Sequence, residues 1–484
     1  MLTYNQIKIW TQSSTQSKTK WIRHICFIIA CGSYLCVVNA TQPNNSPRTF
    51  ESDIENMKEI ILSPSHWKNK LSPEQSPILS SQQITQQNVT LFRNNQHMND
   101  INAYPNVQSR SIIVDKIVKI SKIPATNRYY TNSTQVSKDD FLSYQKSLNL
   151  QAVPESVGIS YAMVVKRTNL RSFPTTDAVF KKPGDTNLDR FQETALFPAE
   201  AVALLHESYD KNWYFVVAYN YSGWVKKIDI AIANKKTIFK HKSTEPFLII
   251  TGDKVFTTFN PHRSQVSNIQ LDMGTKLTLL EKNLIPTSLD GQNTYASHVI
   301  VLPTRSKDGH LEFEPALISR SKDVHIGYLP FTQQNIIDQS FKFLGERYGW
   351  GHSFNARDCT GFVGDVYKSF GILMPRNTGQ QAASGQGQNI HFSKNASIDE
   401  KMAGINSLEV GDLIYIPGHV MMFLGMQNDK PFVIHDVSGL AYTKEDGSFY
   451  KSTLNGVSVT PLFPLQENQE LSYLDLIYNL KKIK

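Results

Sequence analysis

Asn355-Ala356-Arg357-Asp358-Cys359-Thr360-Gly361-Phe362 sets a cysteine at the first turn of an amphipathic segment. Phe362, Val363, Val366, Tyr367 and Phe370 share one face at helical spacing and Gly371 offers a C-cap, so the pattern predicts a helix over 359–370. Upstream, residues 332–346 carry Ile336, Ile337, Phe341 and Leu344 at helical spacing too, and a Gly/aromatic loop joins the two segments. Downstream come three β-type runs, 413–416, 419–424 and 431–437. Helices followed by an antiparallel sheet make an α+β plan.

A helix N-terminus carries partial positive charge and free N–H groups, which favour a thiolate and suit a nucleophile. The backbone N–H of Cys359 is also placed to help bind an oxyanion in acyl transfer. The bland alternative is a buried Cys acting as a small hydrophobe. Of the other cysteines, Cys26, Cys31 and Cys36 all fall in an export-type leader, so a processed chain keeps one thiol without a disulfide partner. Such a thiol calls for a histidine. His419 opens a strand directly after Pro417-Gly418, and His435 lies in the next strand. A hairpin bringing Phe423 near Pro431 sets the two histidines side by side on one face, whereas a one-residue slip separates them. In the favourable register His419 is the general base and His435 orients it. Either one as an ordinary core or surface histidine remains the alternative. No H-E-x-x-H or C-x-x-C spacing occurs, and His419 and His435 with Asp436 are the residues that could in principle hold zinc.

At 484 residues the chain exceeds one hydrophobic core, and roughly two to four domains are expected. Residues 1–24 hold Lys8, Lys18, Lys20 and Arg23 and no acid; 25–38 are mostly apolar, and Val38-Asn39-Ala40 offers a cleavage site. Residues 1–40 therefore read as a signal peptide. Ile28-Ile29-Ala30-Cys31 keeps a lipoprotein signal open, with a lipid anchor at Cys31. No run reaches the roughly 18 to 20 apolar residues of a membrane-spanning helix. Removing the four basic residues of the leader lowers the formal charge from +8 to +4, which suits anionic envelope polymers. No basic stripe or nucleic-acid motif is present.

Residues 41–65 read as a Pro/Asn/Ser/Gln-rich linker, and 66–150 as a polar, Asn/Gln-rich helical or irregular segment that packs on other domains. From 155 to 235 short β-type runs alternate with turn signals and end at Tyr221-Ser222-Gly223-Trp224-Val225. Residues 243–330 repeat the plan more loosely, ending Ile326-Gly327-Tyr328-Leu329. The two stretches resemble a pair of bacterial SH3-like β-barrels, with 331–484 following them.

Tyr348-Gly349-Trp350-Gly351, Asp358-Cys359-Thr360-Gly361-Phe362, Met374-Pro375-Arg376, Gly411-Asp412-Leu413, Gly418-His419-Val420 and Ile434-His435 occur in that order. Together they resemble the NlpC-type cell-wall cysteine peptidases, in the multidomain branch with SH3-like domains. The resemblance implies a papain-like catalytic domain, its N-terminal helices packed on an antiparallel sheet, with no cofactor and no metal. It implies that Cys359 attacks a γ-D-glutamyl bond to a diamino acid in a peptidoglycan stem peptide, with His419 as base and His435 holding the imidazole. Asp358 is then expected at the free amine of an N-terminal L-Ala, and Tyr348 near the oxyanion, with Thr360 and Thr378 completing the substrate-binding set. Thr360 stands where the family usually has Ser, and His352 replaces the second Gly of its Tyr-x-Trp-Gly-Gly loop. A non-catalytic wall-binding protein and an amidase or acyltransferase on the same fold are the rival readings.

Overall fold

Short helices lead and three larger antiparallel sheets follow, with two-stranded pairings beside them; the computed structural model describes residues 50–484 apart from 55, 56 and 75. The signal segment, the Cys31 lipobox and the start of the linker lie outside the described residues. No described helix is long and apolar enough to cross a membrane.

From Ser52 on the chain packs as one unit. Its polar leading stretch folds into α1 (Pro64–Lys68), α2 (Ser81–Asn94), α3 (Arg110–Ile120) and α4 (Lys138–Ser147). Local chemistry starts these helices: Ser80 with Gln83 and Ser137 with Asp140 form capping boxes, and Ser109 accepts from the Ile112 N–H. Few apolar residues anchor them, but those few are deeply placed. Ile113 and Ile117 of α3 join the core of the first sheet, while Trp67 of α1 packs on Phe432 of the last.

The first sheet comprises β1 (Ser160–Val164), β2 (Thr168–Arg171), β3 (Gln192–Leu196), β4 (Ala201–Glu207), β5 (Trp213–Val217), β6 (Ser222–Lys226) and β7 (Ile230–Ala233), in the order β7-β1-β4-β5-β6-β2-β3. Gly223 is required in β6, because a Cβ there would sit 2.9 Å from the Arg171 carbonyl oxygen. After α5 (Lys235–Lys242) a second sheet holds β8 (Phe247–Ile250), β9 (Lys276–Leu279), β10 (Ser297–Arg305), β11 (Leu311–Ser319) and β12 (Val324–Ile326), in the order β11-β10-β9-β8-β12. Both sheets contribute to one buried apolar cluster.

The last part opens with α6 (Gln333–Phe341), α7 (Cys359–Lys368), α8 (Thr378–Ala383) and α9 (Ile398–Asn406). Its sheet contains β13 (Gln388–His391), β14 (Leu413–Ile416), β15 (His419–Gln427), β16 (Lys430–Val437), β17 (Gly456–Pro461) and β18 (Asn479–Lys482), ordered β13-β18-β14-β15-β16-β17. Strand alternation sorts its two faces. Val420, Met422 and Ile434 pack with Phe362, Val363, Val366 and Tyr367 of α7, whereas Met421, Phe423 and Val433 pack with Tyr442 and Leu462. The four α7 side chains are fully buried, each worth roughly 1.5–3 kcal/mol, so the helix is clamped to the sheet and Cys359 is held with it.

Candidate active site

Asp358 starts α7 as its N-cap, and both of its oxygens are fully used. Oδ1 accepts from the Gly361 N–H at 2.9 Å and from Thr360 Oγ1 at 3.1 Å. Oδ2 accepts from the Gly351 N–H at 2.9 Å and from the Arg376 guanidinium at 2.7 Å. Burial opposes its ionisation, yet Arg376 and these donors hold the carboxyl below its ordinary range. A substrate amine at Asp358 would therefore have to displace or share one of four existing donors.

Cys359 is buried, and its thiol is pushed up to about 12 by burial and then by Asp358; Asp436 adds to the rise, while the Val420 N–H and Arg376 oppose it. The helix end alone favours a thiolate, but the low-dielectric surroundings and the neighbouring carboxylate outweigh it. The Val420 N–H that reaches the sulfur belongs to the residue after His419, so β15 is docked directly on the nucleophile.

His419 Nε2 lies 2.9 Å from His435 Nδ1, and His435 Nε2 lies 3.1 Å from Thr460 Oγ1. The pairing register differs from the expected one by two residues: Phe423 faces Val433, and the histidines are diagonal neighbours. An even shift leaves side chains on the same face. A bulge makes the register even. Between Phe423 and Gly425 the ladder skips Leu424, and continuing the pairing of the hairpin's far end would have turned His435 to the α7 face. Gly425, with φ of 132°, supplies the conformation. Burial pulls the His419 imidazole down to about 4 and His435 well below its usual value, with His419 adding to the latter. Both rings are neutral at pH 7.

Tyr348 is carried by the 345–348 segment, which zips onto β17 through Gly345 N–H to Val457 O and Tyr348 N–H to Asn455 O. Burial, then Cys359, Asp358 and Asp436, raise its phenol and keep it a donor. Thr360 receives an Arg376 N–H at 2.6 Å, and Thr378 opens α8, half-buried.

The contacts of several polar groups at this site escape sequence reading. Arg376, buried, also donates to Thr194 of β3 at 2.7 Å and approaches His352 Nδ1 at 3.2 Å. His352 is itself buried at φ 64°, and its ring would be 2.7 Å from a Cβ on Gly361, so it fills space against the start of α7. Glu193 of β3 accepts from Tyr221, with burial raising its carboxyl although Arg376 opposes. Arg357 is fully buried and pairs with Asp365, Glu346 and Asp272. Asp436, next to His435, faces the α7 side with both oxygens buried and unpartnered. The sequence marked Arg376 by its motif, His352 by its departure from the loop pattern and Asp436 only as a metal-ligand candidate; the partners Thr194, Glu193 and Asp272 come from distant segments and carry no local pattern. Among the described residues no three His, Cys, Asp or Glu side chains converge as a metal set.

These features define a chain in which an SH3 domain precedes an NlpC/P60 domain: residues 178–226 match the SH3 domain of SH3b1 type, and 345–459 match the NlpC/P60 family. A γ-D-glutamyl-L-lysine dipeptidyl-peptidase of Bacillus cereus is 25% identical over 217 residues, which are 43% of this chain and 55% of that protein. A Bacillus subtilis protein of the same name is 33% identical over 97 residues, covering 19% of this chain and 33% of the relative. The matches thus span about half and a third of the lengths of these curated relatives. An NlpC/P60 endopeptidase from Photobacterium damselae subsp. piscicida shares the fold, with a TM-score of 0.67 at 18% identity over 86% of this chain and 96% of that one.

Proposed function

We propose that this chain is an exported cysteine peptidase that hydrolyses the γ-D-glutamyl to diamino acid bond of peptidoglycan stem peptides, with a free N-terminal L-Ala. The observation that carries the reading is the His419–His435–Thr460 chain on a strand whose Val420 N–H, one residue past His419, meets the Cys359 sulfur. The hydrogen-bond order gives each group a role. In the tautomer where His435 Nε2 donates to Thr460 Oγ1, His435 Nδ1 accepts from His419 Nε2, and His419 keeps Nδ1 free as a base.

The chemistry then runs in two halves. His419 takes the thiol proton as Cys359 Sγ attacks the carbonyl carbon, because a thiol pushed up to about 12 beside a neutral imidazole stays protonated until substrate arrives. The oxyanion is met by the Cys359 N–H, with Tyr348 as a further donor. The tetrahedral species collapses, His419 gives its proton to the departing amine, and an acyl-enzyme thioester remains. Water, deprotonated by His419, releases the γ-D-glutamyl product and returns the thiol. The two 25%- and 33%-identical relatives, named for γ-D-glutamyl-L-lysine peptides, support the bond chosen. The basic, acid-free lead of 1–24 supports export.

Mass spectrometry of L-Ala-γ-D-Glu-diaminopimelate incubated with the chain is the test. Release of L-Ala-D-Glu, abolished in Cys359→Ala, is expected. An intact tripeptide in the presence of folded, reduced protein would instead favour a wall-binding role or another acyl substrate.

A further inference from the structure

Lys235, Lys236, Lys240 and Lys242 crowd α5, which contains no acid. Lysines in its last turn suit the negative end of the helix, but Lys235 and Lys236 stand at the positive end, where carboxylates are favoured. Lys235 has a structural use: it donates to the Tyr104 carbonyl at 2.8 Å and lies over the Tyr161 ring. Helix chemistry leaves Lys236 without one.

Lys236 belongs to an open groove of about 550 Å³, lined by Asn102, Lys236, Phe239, Lys240, Lys242 and Ser243. Lys236 and Lys240 are exposed and Lys242 is half-buried. Among the described residues no carboxylate lines this groove, and none forms an ion pair with these lysines. Phe239 and Lys242 also line a second cavity of about 300 Å³, where Phe92, Tyr219, Tyr328 and Leu373 stand beside Lys276 and Lys368.

The acids of that second cavity are engaged. Glu200 pairs with Lys368 at 2.5 Å and accepts from the Phe197 N–H, and Asp100 accepts from the Asn102 and Ala103 N–H groups. Glu245 reaches Lys276 only at 3.8 Å. Lys242 finds the Ala199 carbonyl at 3.2 Å and no acid. Burial lowers its ammonium to about 8; Glu200 opposes the fall, while Lys368 and Lys276 add to it. With Glu245 counted, the two hollows hold two more ammonium groups than carboxylates.

That excess repels a cation, and an uncharged ligand leaves it in place. A monocarboxylate brings one charge and two oxygens. A phosphate monoester brings a charge of about −1.5 to −2 at pH 7 and three acceptor oxygens, which matches both the excess and the donors of Lys236, Lys240 and Lys242. We propose that the two hollows bind a phosphate monoester, its head among Lys236, Lys240 and Lys242 and an apolar body beside Phe239 and Tyr328. The site lies apart from Cys359 and does not depend on the peptidase chemistry.

The test is calorimetric titration of the full chain, at fixed ionic strength, with phenyl phosphate, inorganic phosphate and benzoate. Phenyl phosphate should bind saturably and about tenfold tighter than either of the others, since only it offers both head and body. Lys240→Glu, at an exposed position, should abolish that binding without changing the melting temperature, and Lys242→Met should weaken it about tenfold or more. Lys451→Glu, an equal change of charge at an exposed position in the last part of the chain, should leave the affinity within about twofold. Absence of saturable binding up to about 10 mM overturns the proposal. Benzoate binding as tightly as phenyl phosphate overturns the choice of phosphate, and inorganic phosphate binding as tightly overturns the seat for the body. A loss in Lys451→Glu equal to that in Lys240→Glu overturns the site itself, because the attraction would be diffuse. No readout here involves peptide cleavage, so failure of this proposal leaves the peptidase reading standing, and the converse holds.

Discussion

Asp436→Asn removes one titration and little else. The carboxyl is wholly buried and unpartnered, and it is pushed up to about 9 by burial first, then by Asp358 and Glu346, with Arg357 opposing. Its ordinary value is 3.8, so the native state keeps a proton that the unfolded chain gives up over the range between. Stability present below pH 3.8 is therefore lost as pH rises, at about 1.36 kcal/mol per unit, until the folded group ionises near 9. At pH 7 the interval is 7 − 3.8, or 3.2 units, and the loss is about 4 kcal/mol as an upper figure. The amide has the same shape and does not titrate, and its unpaired donors replace the unpaired hydroxyl of the neutral acid. Urea unfolding of both proteins is the assay. The advantage of the variant should grow from about 2 kcal/mol at pH 5 to about 6 kcal/mol at pH 8.5, again as upper figures. A difference that stays flat with pH, or a variant weaker than the parent at pH 8.5, would mean that Asp436 is ionised and paired, and the reasoning would fail.

Four further outcomes are expected. Alkylation of Cys359 by iodoacetamide in the substrate-free chain should climb about tenfold per pH unit from 7 to 9, because the thiol is raised to about 12; a plateau below pH 7 would contradict a protonated resting state. His435→Ala should lower kcat by about 100-fold or more with little change in KM, since the base loses its orienting partner; equal changes in both constants would point to substrate binding instead. Arg376→Lys should cost on the order of 3 kcal/mol in chemical unfolding, as an ammonium cannot reach Asp358, Thr360, Thr194 and His352 together. Gly425→Ala should cost about 1–3 kcal/mol through its φ of 132° rather than through a clash, the nearest atom being Trp67 at 3.7 Å; a neutral effect would remove the strain argument.

Much of the last part of the fold was legible because its elements are strongly patterned. The apolar spacing of Phe362, Val363, Val366 and Tyr367 announces α7, and the β-type runs at 413–416, 419–424 and 431–437 fall on β14, β15 and β16. Register was less legible. Alternation shows which residues share a face along a strand but not how two strands are offset, and a bulge at Leu424 leaves no mark beyond a glycine. The elevation of the Cys359 thiol was hidden for a related reason. Helix position is local, whereas burial and the reach of Asp436 depend on a strand some eighty residues away. Arg357 offers a third case: nothing near it announces that Asp272, from the segment between β8 and β9, is its partner.

The segment just before the nucleophile is strung between two neighbours. Arg357 is tied to Asp272 and the Asp253 carbonyl of the 253–272 segment that links two strands of the second sheet, and Asp358 is tied through Arg376 to Thr194 of the first sheet. The NlpC/P60 part is therefore not a portable module. A chain trimmed to residues 331–484 would leave the Arg357 guanidinium and its remaining acids without Asp272, and Arg376 without Thr194, at the very turn that aims Cys359. Recombination that exchanges the two preceding sheets for others must carry matching groups at those two positions, which ties their inheritance to that of the candidate active site.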